Sequence, residues 1–584
     1  MKVVFLSSLY SPLLTSDYSF LLSNEAFFKN LDFENKEINF KFISSLKQNC
    51  QTRYDSEIET DAIAKKIEID LYENLNTFHS TNFSNRYWKI IIGHWISRFI
   101  KLIYFRYQIL DQFSKKNYKF DFAYASKFNN YSQITNNTND LWRCCFDEEW
   151  NYNLFSKIIE ISFQNNFDIR YFNTKNLFFN SNIENLPNTK KDTLKNKVQN
   201  FLSLFNSLGQ KNTIAFKNTY LSFYNELKLS FYNREFPVFL NNLDYSSSDI
   251  DFQKRKAINI NKEGCNVFEN LARNLITESL PKIVVEDYDK ILDTINNSNW
   301  PINPKIIFTS NSYDADDIFK IWAAEKIEKK NSKYIIGQHG LLDSSERLLN
   351  NSNEYQTCDK YLRWGEKKYK KDIELFNIKT LKQKRYSQNS NILILHRTAG
   401  HEVEPYSRLD EFRVYNNCLV SLLESFTNDN KKKTTIRLKR TFKWTNPKEM
   451  SYLNQKFPSI KIEDGTKNFY SNLKKSKLAI FLYYSTGVLE ALSLDVPTVF
   501  YLPKTLVYID PEEIFFINML NRCKMLSFTE DEFKNNIDII LSNPSKWWSS
   551  DLVEKAKKDF CFRYSKNQPQ KPVLKISKLL KSFL

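Results

Sequence analysis

His339 follows a short apolar run and stands between two glycines, in the stretch IIGQHG at residues 335–340. Ligands of open α/β sheets bind at the carboxyl ends of the strands, and an imidazole titrates near neutral pH. We therefore predict that His339 is a general base. Gly337, Gln338 and Gly340 would shape its loop, since glycine permits close backbone approach. The alternative is a structural histidine that bonds loop carbonyls.

A second candidate site is the strand–turn–helix pattern KLAIFL-YYSTG-VLEAL at residues 477–492. Ser485 or Thr486 is expected to cap the helix, and Gly487 would let a ligand come close. The first-turn amides and the positive end of the helix dipole suit the phosphates of a nucleotide. Glu490 lies one turn further, where a carboxylate can accept hydrogen bonds from ribose hydroxyls. An ordinary capped helix would show the same pattern.

Basic residues close two other apolar runs. Arg397 follows the run that ends at residue 396, and Arg437 and Lys439 stand at the end of the run that begins at residue 434. Because side chains alternate along a strand, Arg437 and Lys439 can share one face. Cations beside a phosphate-binding helix would neutralise a diphosphate. Solvated surface charge is the alternative for each of them.

Other signatures of cofactor and metal sites are absent from the sequence. It contains no GxxxxGK[ST], GxGxxG, HExxH or GxSxG motif. Asp314, Asp316 and Asp317 are expected to form the acidic first turn of a helix rather than a metal site. The eight cysteines are scattered without zinc spacing. We therefore expect a reduced cytoplasmic protein with no bound metal and no resident cofactor.

The elements that would position these residues alternate between strands and helices. Short β-branched runs predict strands at Lys305–Phe308, Tyr334–Gly337, Asn391–His396, Thr434–Leu438, Lys477–Leu482 and Thr498–Leu502. Helical spacing of apolar residues predicts helices over 314–329, 409–426 and 467–473. This alternation indicates an α/β fold with parallel sheets and helices on both faces. Residues 1–280 show a first strand at Lys2–Leu6 and otherwise mixed patterns, to which we assign no chemistry.

One amphipathic segment stands out in the N-terminal half, RYWKIIIGHWISRFIKLIYFRYQIL at residues 86–110. Its tryptophans and isoleucines share one helical face, whereas His94, Ser97, Arg98 and Lys101 lie largely opposite. The segment is interpreted as a helix packed on a domain core. A cationic helix lying in a membrane interface is the alternative.

Composition limits the class of protein. The chain has 584 residues, of which 42% are hydrophobic and 26% charged, and this excludes a disordered or coiled-coil protein. The net charge of +17 favours anionic partners such as nucleotides, nucleic acid or a membrane surface. No apolar run is long enough for a transmembrane helix, and the N-terminus does not resemble a signal peptide.

Four segments carry a resemblance to a known family. The stretches at residues 306–340, 361–367 (YLRWGEK) and 483–500 (YYSTGVLEALSLDVPTVF), together with residues 86–107, resemble a bacterial transferase family of surface-carbohydrate and O-antigen gene clusters. More distantly, they are similar to GT-B glycosyltransferases and to the CDP-polyol phosphotransferases of teichoic-acid synthesis. The resemblance makes His339 the candidate base and assigns donor contacts to Ser485, Thr486 and Glu490.

The resemblance also implies an architecture of two Rossmann-like α/β domains that face each other across a cleft, as in GT-B enzymes. An acceptor-side domain with helical insertions would span residues 1–380, and a nucleotide-donor domain would span 388–560. A C-terminal helix, 561–584, would cross back to the first domain. Residues 381–390 would connect the two domains.

The implied activity is metal-independent transfer of a sugar from a nucleotide-activated donor to a surface-polysaccharide acceptor, in lipopolysaccharide, O-antigen or capsule. A CDP-polyol phosphotransferase is the rival enzyme, and a basic nucleic-acid-binding protein is the rival of another class. No nucleic-acid-binding motif supports the latter. Lipid-linked acceptors would place the enzyme in the cytoplasm, with reversible association at the anionic inner face of the membrane.

Overall fold

The structure of the protein is a computed structural model. The structure describes residues 2–5, 18–21, 40–42, 49–115, 122–127, 133–145, 147–166, 168–173, 206–238, 240–340, 349–381, 390–397, 404–406, 408–440 and 449–584. The predicted connection at 381–390 lies for the most part outside the described residues.

Three parallel β-sheets organise the described chain. The first sheet has the strand order β3-β2-β1-β4-β5, the second β10-β9-β8-β7-β6, and the third β13-β12-β11-β14-β15-β16. These strands are β1 (Lys2–Phe5), β2 (Tyr18–Leu21), β3 (Phe40–Phe42), β4 (Phe122–Lys127), β5 (Ile169–Asn173), β6 (Ile214–Lys217), β7 (Ile306–Thr309), β8 (Lys333–Gly337), β9 (Lys360–Arg363), β10 (Asp372–Glu374), β11 (Asn391–Leu395), β12 (Thr434–Arg437), β13 (Lys461–Glu463), β14 (Ser476–Phe481), β15 (Thr498–Tyr501) and β16 (Leu526–Ser527). The α/β class with parallel sheets is therefore confirmed.

Helices connect and cover the strands. They are α1 (Cys50–Phe78), α2 (Asn85–Lys115), α3 (Thr138–Cys144), α4 (Glu148–Ser162), α5 (Phe223–Asn233), α6 (Phe252–Arg255), α7 (Val267–Ser279), α8 (Lys282–Val285), α9 (Tyr288–Asn296), α10 (Ser312–Ala315), α11 (Asp317–Lys330), α12 (Asn353–Thr357), α13 (Arg408–Ser425), α14 (Asn428–Lys432), α15 (Glu449–Lys456), α16 (Phe469–Leu473), α17 (Thr486–Ser493), α18 (Ile514–Arg522), α19 (Glu530–Ser542), α20 (Pro544–Trp548), α21 (Asp551–Tyr564) and α22 (Pro572–Lys581).

Helix α2 is the centre of the N-terminal core. Trp88, Trp95 and Phe99 are fully buried in a hydrophobic cluster that extends from α1 to the inner face of the second sheet. This confirms the interpretation as a core helix and leaves no apolar face for a membrane interface. Among the described residues, no helix is long and apolar enough to cross a membrane.

The second sheet lies between two apolar layers because its side chains alternate in direction. Ile307 of β7 belongs to the helical core, whereas its neighbours Ile306 and Phe308 belong to a separate cluster with Ile576 and Leu580 of α22. The C-terminal helix therefore packs against the second sheet after the chain has left the third. The chain passes from the second sheet to the third between the end of β10 at Glu374 and the start of β11 at Asn391.

Candidate functional site

The loop that carries His339 touches the turn at residues 483–490, where the second and third sheets meet. A Cβ atom built on Gly340 would lie 2.6 Å from Oγ1 of Thr486. Glycine is therefore needed at position 340 for the close approach of the two loops. The structure thus brings together two motifs that the sequence separates by more than a hundred residues.

His339 is held from one side by a tyrosine. Its Nδ1 lies 2.6 Å from the hydroxyl oxygen of Tyr220. Burial chiefly lowers the pKa of His339, and the charge of Lys379 lowers it further, against the opposing effects of Asp314 and a backbone hydrogen bond to Ser310. The imidazole is therefore uncharged at neutral pH, yet exposed on its open side. The neutral ring carries its proton on one nitrogen, and the other nitrogen can accept a proton.

The residues around His339 fix its loop. Gln338 is buried, its side-chain amide donates to the carbonyl oxygen of Gly340 at 2.8 Å, and its Oε1 accepts from the backbone amide of Trp364 at 2.7 Å. A Cβ atom on Gly337 would lie 2.3 Å from Oγ of Ser310. Packing therefore excludes larger side chains on the strand that presents the histidine.

Helix α17 begins at Thr486 without a side-chain cap. Ser485 occupies the N-cap position, but its hydroxyl makes no capping hydrogen bond, contrary to the cap expected from the sequence. The amide of Val488 donates to the carbonyl oxygen of Ser485 at 2.9 Å, so the side chain of the N-cap residue leaves room for a ligand at the start of the helix. Gly487 has a packing role, because a Cβ atom there would lie 2.7 Å from the ring of Phe481. Its predicted role of admitting a ligand stays a prediction.

Glu490 faces the second sheet rather than the open turn. Its carboxylate lies 3.8 Å from Nζ of Lys379 and bonds the hydroxyl of Tyr470. Burial raises the pKa of Glu490, while Lys379 and Tyr470 lower it. The Lys379 ammonium in turn lies 4.4 Å from the ring centre of Tyr220. A chain of polar contacts therefore links Glu490 to the tyrosine that holds His339.

Two of the three predicted cations converge on the 483–490 turn. Arg397 lies 5.5 Å from the ring centre of Tyr483, and burial raises the pKa of that tyrosine against the opposing charges of Arg397 and Arg437. Arg437 also donates to the backbone oxygens of residues 465 and 467. Strand β12 ends at Arg437, so exposed Lys439 lies beyond it. Because Lys439 lies beyond the strand, the shared face that the sequence allows for Arg437 and Lys439 stays a prediction.

A cavity of about 410 Å³ opens beside Arg397. We call it the α1–α2 cavity, because the polar faces of those two helices form one wall and residues that follow inner strands of the third sheet, with helix α13, form the other. Arg397 and Tyr484 line it from the third sheet. The cavity is therefore continuous with the 483–490 turn.

The sequence reasoning missed this wall of the site. His94, Ser97, Arg98 and Lys101, the polar stripe of α2, all line the cavity. The signal was their segregation on a helix that is otherwise apolar. Solvent would account equally well for such a stripe, so the pattern alone did not indicate a pocket.

Asp314 also has a different place from the one predicted. It lies in the short helix α10, separate from α11, and its carboxylate pairs with Arg98 and lies 3.7 Å from Nδ1 of His94. Burial lowers the pKa of His94 to about 3, so this histidine is uncharged. Asp316 instead caps α11 through a bond from the amide of Phe319. Asp314 thus stands between the cavity and His339, whose pKa it raises.

No group of three or more metal-binding side chains occurs among the residues that the structure describes. The metal independence inferred from the sequence stays a prediction. The eight cysteines form no disulfide bonds, and most are buried.

Comparisons with solved structures return glycosyltransferases at low similarity. A spinosyn rhamnosyltransferase complexed with spinosyn aglycone is 8% identical over 51% of this chain and 77% of its own, with a TM-score of 0.30. An O-GlcNAc transferase mutant from Thermobaculum terrenum is 10% identical over 64% and 67%, with a TM-score of 0.30. A UDP-forming α,α-trehalose-phosphate synthase from Burkholderia vietnamiensis is 8% identical over 47% and 73%, with a TM-score of 0.28. Scores of this size carry no argument about function.

Comparison with curated protein sequences finds no match. A family model does match nearly the whole chain, from residue 21 to residue 580, and it describes transferases. The match includes the His339 loop, the 483–490 turn and both long N-terminal helices. The resemblance to a transferase family is thereby confirmed, and the chain belongs to the LIC12162 family of transferases.

Proposed function

We infer that the enzyme transfers a sugar from a nucleotide-activated donor to a saccharide acceptor of a surface polysaccharide. The contact between the His339 loop and the start of α17 carries this proposal, since it places a neutral imidazole beside an uncapped helix N-terminus. A helix N-terminus suits the donor phosphates, and a neutral imidazole suits an acceptor hydroxyl. The two reactants would then meet where the loops touch.

In the proposed mechanism, His339 takes the proton of the acceptor hydroxyl as the bond between the sugar and the donor phosphate breaks. The departing phosphate gains negative charge, which the first-turn amides of α17 and the guanidinium groups of Arg397 and Arg437 would stabilise. Tyr220 would orient the imidazole through Nδ1. These protein groups can stabilise the leaving group without a metal ion or a resident cofactor.

The donor site is tested by nucleotide binding. Thr486→Phe would obstruct the first turn of α17, and Glu490→Ala would remove the buried partner of Lys379. Both should weaken the binding of UDP, GDP, dTDP or CDP, whichever the wild-type protein binds, in isothermal calorimetry. Glu424→Ala is the control, because Glu424 is exposed and remote in sequence from the turn. Unchanged affinity in both site variants would exclude this donor site.

Product analysis separates sugar transfer from its rival. Sugar transfer releases the nucleotide with all the phosphates of the donor, whereas polyol-phosphate transfer from a CDP-alcohol releases CMP. Release of CMP from a CDP donor would therefore contradict the proposal. Nucleic-acid binding that weakens steeply with salt would instead support the basic binding protein.

We place the enzyme in the cytoplasm, weakly held at the inner face of the membrane where lipid-linked acceptors would be found. The net charge of +17 supports this, and each basic residue near anionic lipid contributes about 1 kcal/mol. Flotation with anionic liposomes should succeed at low salt and fail at high salt. Absence of flotation at low salt would contradict the membrane association.

A further inference from the structure

The α1–α2 cavity has the size and the position of a second substrate site. Its volume of about 410 Å³ lies within the range of roughly 300–1,000 Å³ that is usual for small-molecule sites. Arg397 and Tyr484 line it, and both adjoin the turn assigned above to the donor. A ligand in the cavity would therefore lie next to the donor phosphates.

The charges of the lining are balanced. Its residues include equal numbers of acidic and basic side chains. Many of these are already paired with one another across the lining. Nζ of Lys101 contacts Glu57 and lies 3.3 Å from Asp61, and Nζ of Lys89 lies 2.5 Å from Glu68.

The third-sheet wall continues this pattern. Glu411 accepts from Arg53 of α1 at 2.6 Å and from Arg397 at 2.8 Å. The lining also offers aromatic surface, since Tyr54 and Tyr508 stack with ring centres 4.1 Å apart. The lining therefore contains both ion pairs and tyrosine rings.

We propose that the α1–α2 cavity binds the acceptor of this transferase and that the group bound there is an uncharged saccharide. Hydroxyl groups both donate to carboxylates and accept from ammonium and guanidinium groups, and such charge-assisted hydrogen bonds are strong. The C–H faces of a sugar ring fit against tyrosine rings. The assignment as acceptor site rests on the proposed function, whereas the ligand class follows from the lining itself.

The balanced lining also discriminates against charged ligands. An anionic sugar would leave water and find most of the cations already paired with a carboxylate, so its desolvation would be poorly offset. The donor site differs, because there two arginines and a helix N-terminus favour negative charge. The charges of the two sites would thus direct the nucleotide to the donor site and the neutral sugar to the cavity.

Saturation-transfer NMR with the whole protein tests the proposal at pH 8. Burial raises the pKa of Glu57 to about 7, so its carboxylate is ionised at that pH and the lining is balanced. Glucose, galactose and N-acetylglucosamine are the neutral probes, and glucuronate and glucose 6-phosphate are the anionic ones. The neutral probes should show saturation transfer, and the anionic probes should show less.

Two variants locate the binding. Ser97→Phe places a ring in the cavity from the half-buried face of α2 and should abolish the signals of the neutral sugars while nucleotide binding persists. Ser114→Phe, near the other end of the same helix, should retain them. Asp61→Asn removes one negative charge from the lining without changing its shape and should increase the glucuronate signal. Asp55→Asn, exposed on the same helix and outside the cavity, should not.

Three results would overturn the proposal: no signal from any neutral sugar, undiminished signals in Ser97→Phe, or stronger binding of the anionic probes to the wild type. A folded Asp61→Asn protein with an unchanged glucuronate signal would overturn the charge argument even if Ser97→Phe fails to fold. Failure of the proposed function has a separate signature. Neutral sugars would then bind the cavity, whereas no nucleotide would bind the protein.

Discussion

The two walls of the site are built in different ways. The wall on the third sheet is built largely from residues at the carboxyl ends of parallel strands and in the turns that follow them, such as Arg397, Arg437 and Thr486. The wall on α1 and α2 consists of side chains from two long helices whose apolar faces form the core. The carboxyl ends of parallel strands lie at one edge of the sheet, so the polar residues that follow them are brought together by the topology. A polar helix face lines a binding site only where another part of the protein lies opposite it.

The largest expected effect is a loss of turnover without a loss of nucleotide affinity, and it is expected for variants of His339, which lies where the loops of the second and third sheets touch. His339→Ala should lower turnover by roughly 10²–10⁴-fold, the usual contribution of a general base, with little change in nucleotide affinity. His339→Gln should fail similarly, because an amide can hold a hydrogen bond but cannot take the proton. Steady-state kinetics and calorimetry on the same preparations provide the two measurements.

Tyr220→Phe is the matched variant, since it removes only the hydroxyl that contacts Nδ1 of His339. It should lower turnover less than His339→Ala, because the base remains and only its orientation is lost. Near wild-type turnover in His339→Gln would show that His339 orders the loop and is not the base. A lower melting temperature of His339→Ala would accompany that result.

The sequence predicted the four inner strands of the third sheet, β11, β12, β14 and β15, and two strands of the second sheet, β7 and β8, but not the edge strands β13 and β16. All six strands predicted between residues 305 and 502 are present within one or two residues of the expected bounds. Most residues of these short strands are buried, so apolar and β-branched residues predominate in them. The helix expected over 409–426 is observed at Arg408–Ser425. Local pattern and final structure agree there because the residues that are buried together in each of these elements are also neighbours in the sequence.

The rest of the site depends on contacts between distant residues. Arg53 and Glu411 are separated by 358 positions, yet their side chains lie 2.6 Å apart and both are buried. Asp314 was expected in the first turn of a longer helix, but a break at Asp316 turns it toward Arg98. No spacing in the sequence signals such pairs, because each partner alone resembles an ordinary surface charge.

The ion pair between the two walls should contribute more to stability than an exposed pair on the same helix. Arg53→Met removes one of the two arginines that contact the buried carboxylate of Glu411, and Arg397 remains beside it. Removing one partner of a buried pair typically costs about 3–5 kcal/mol, and the remaining arginine should keep the loss near about 3 kcal/mol. The midpoint of urea unfolding measures it.

Lys66→Met is the control on α1. Its ammonium is mostly exposed and lies 3.4 Å from Glu269. Exposed pairs contribute only about 0–1 kcal/mol, so unfolding should change little. Equal losses in both variants would show that the contact between the walls adds no stability beyond that of a surface pair.

A smaller effect is expected where the loops of the two sheets touch. Gly340→Ala would bring a methyl group to 2.6 Å from Oγ1 of Thr486, and overpacking of this kind costs about 1–3 kcal/mol. Thr486→Ala removes that oxygen, so the double variant should recover part of the loss. A double-mutant cycle of unfolding free energies measures the coupling. Additive losses would show that the loops do not meet in this way.

The smallest expected effect is a shift of the acidic limb of the pH–rate profile. Its direction should differ between variants of Lys379 and Asp314, the two charged residues whose effects on the pKa of His339 are opposite. A base must be unprotonated, so kcat/KM should rise with pH through the His339 pKa and then level off. Lys379 lowers that pKa, so Lys379→Met should move the limb to higher pH. Asp314 raises it, so Asp314→Asn should move the limb to lower pH. If both variants shift the limb in the same direction, or neither shifts it, the limb reports a group other than His339.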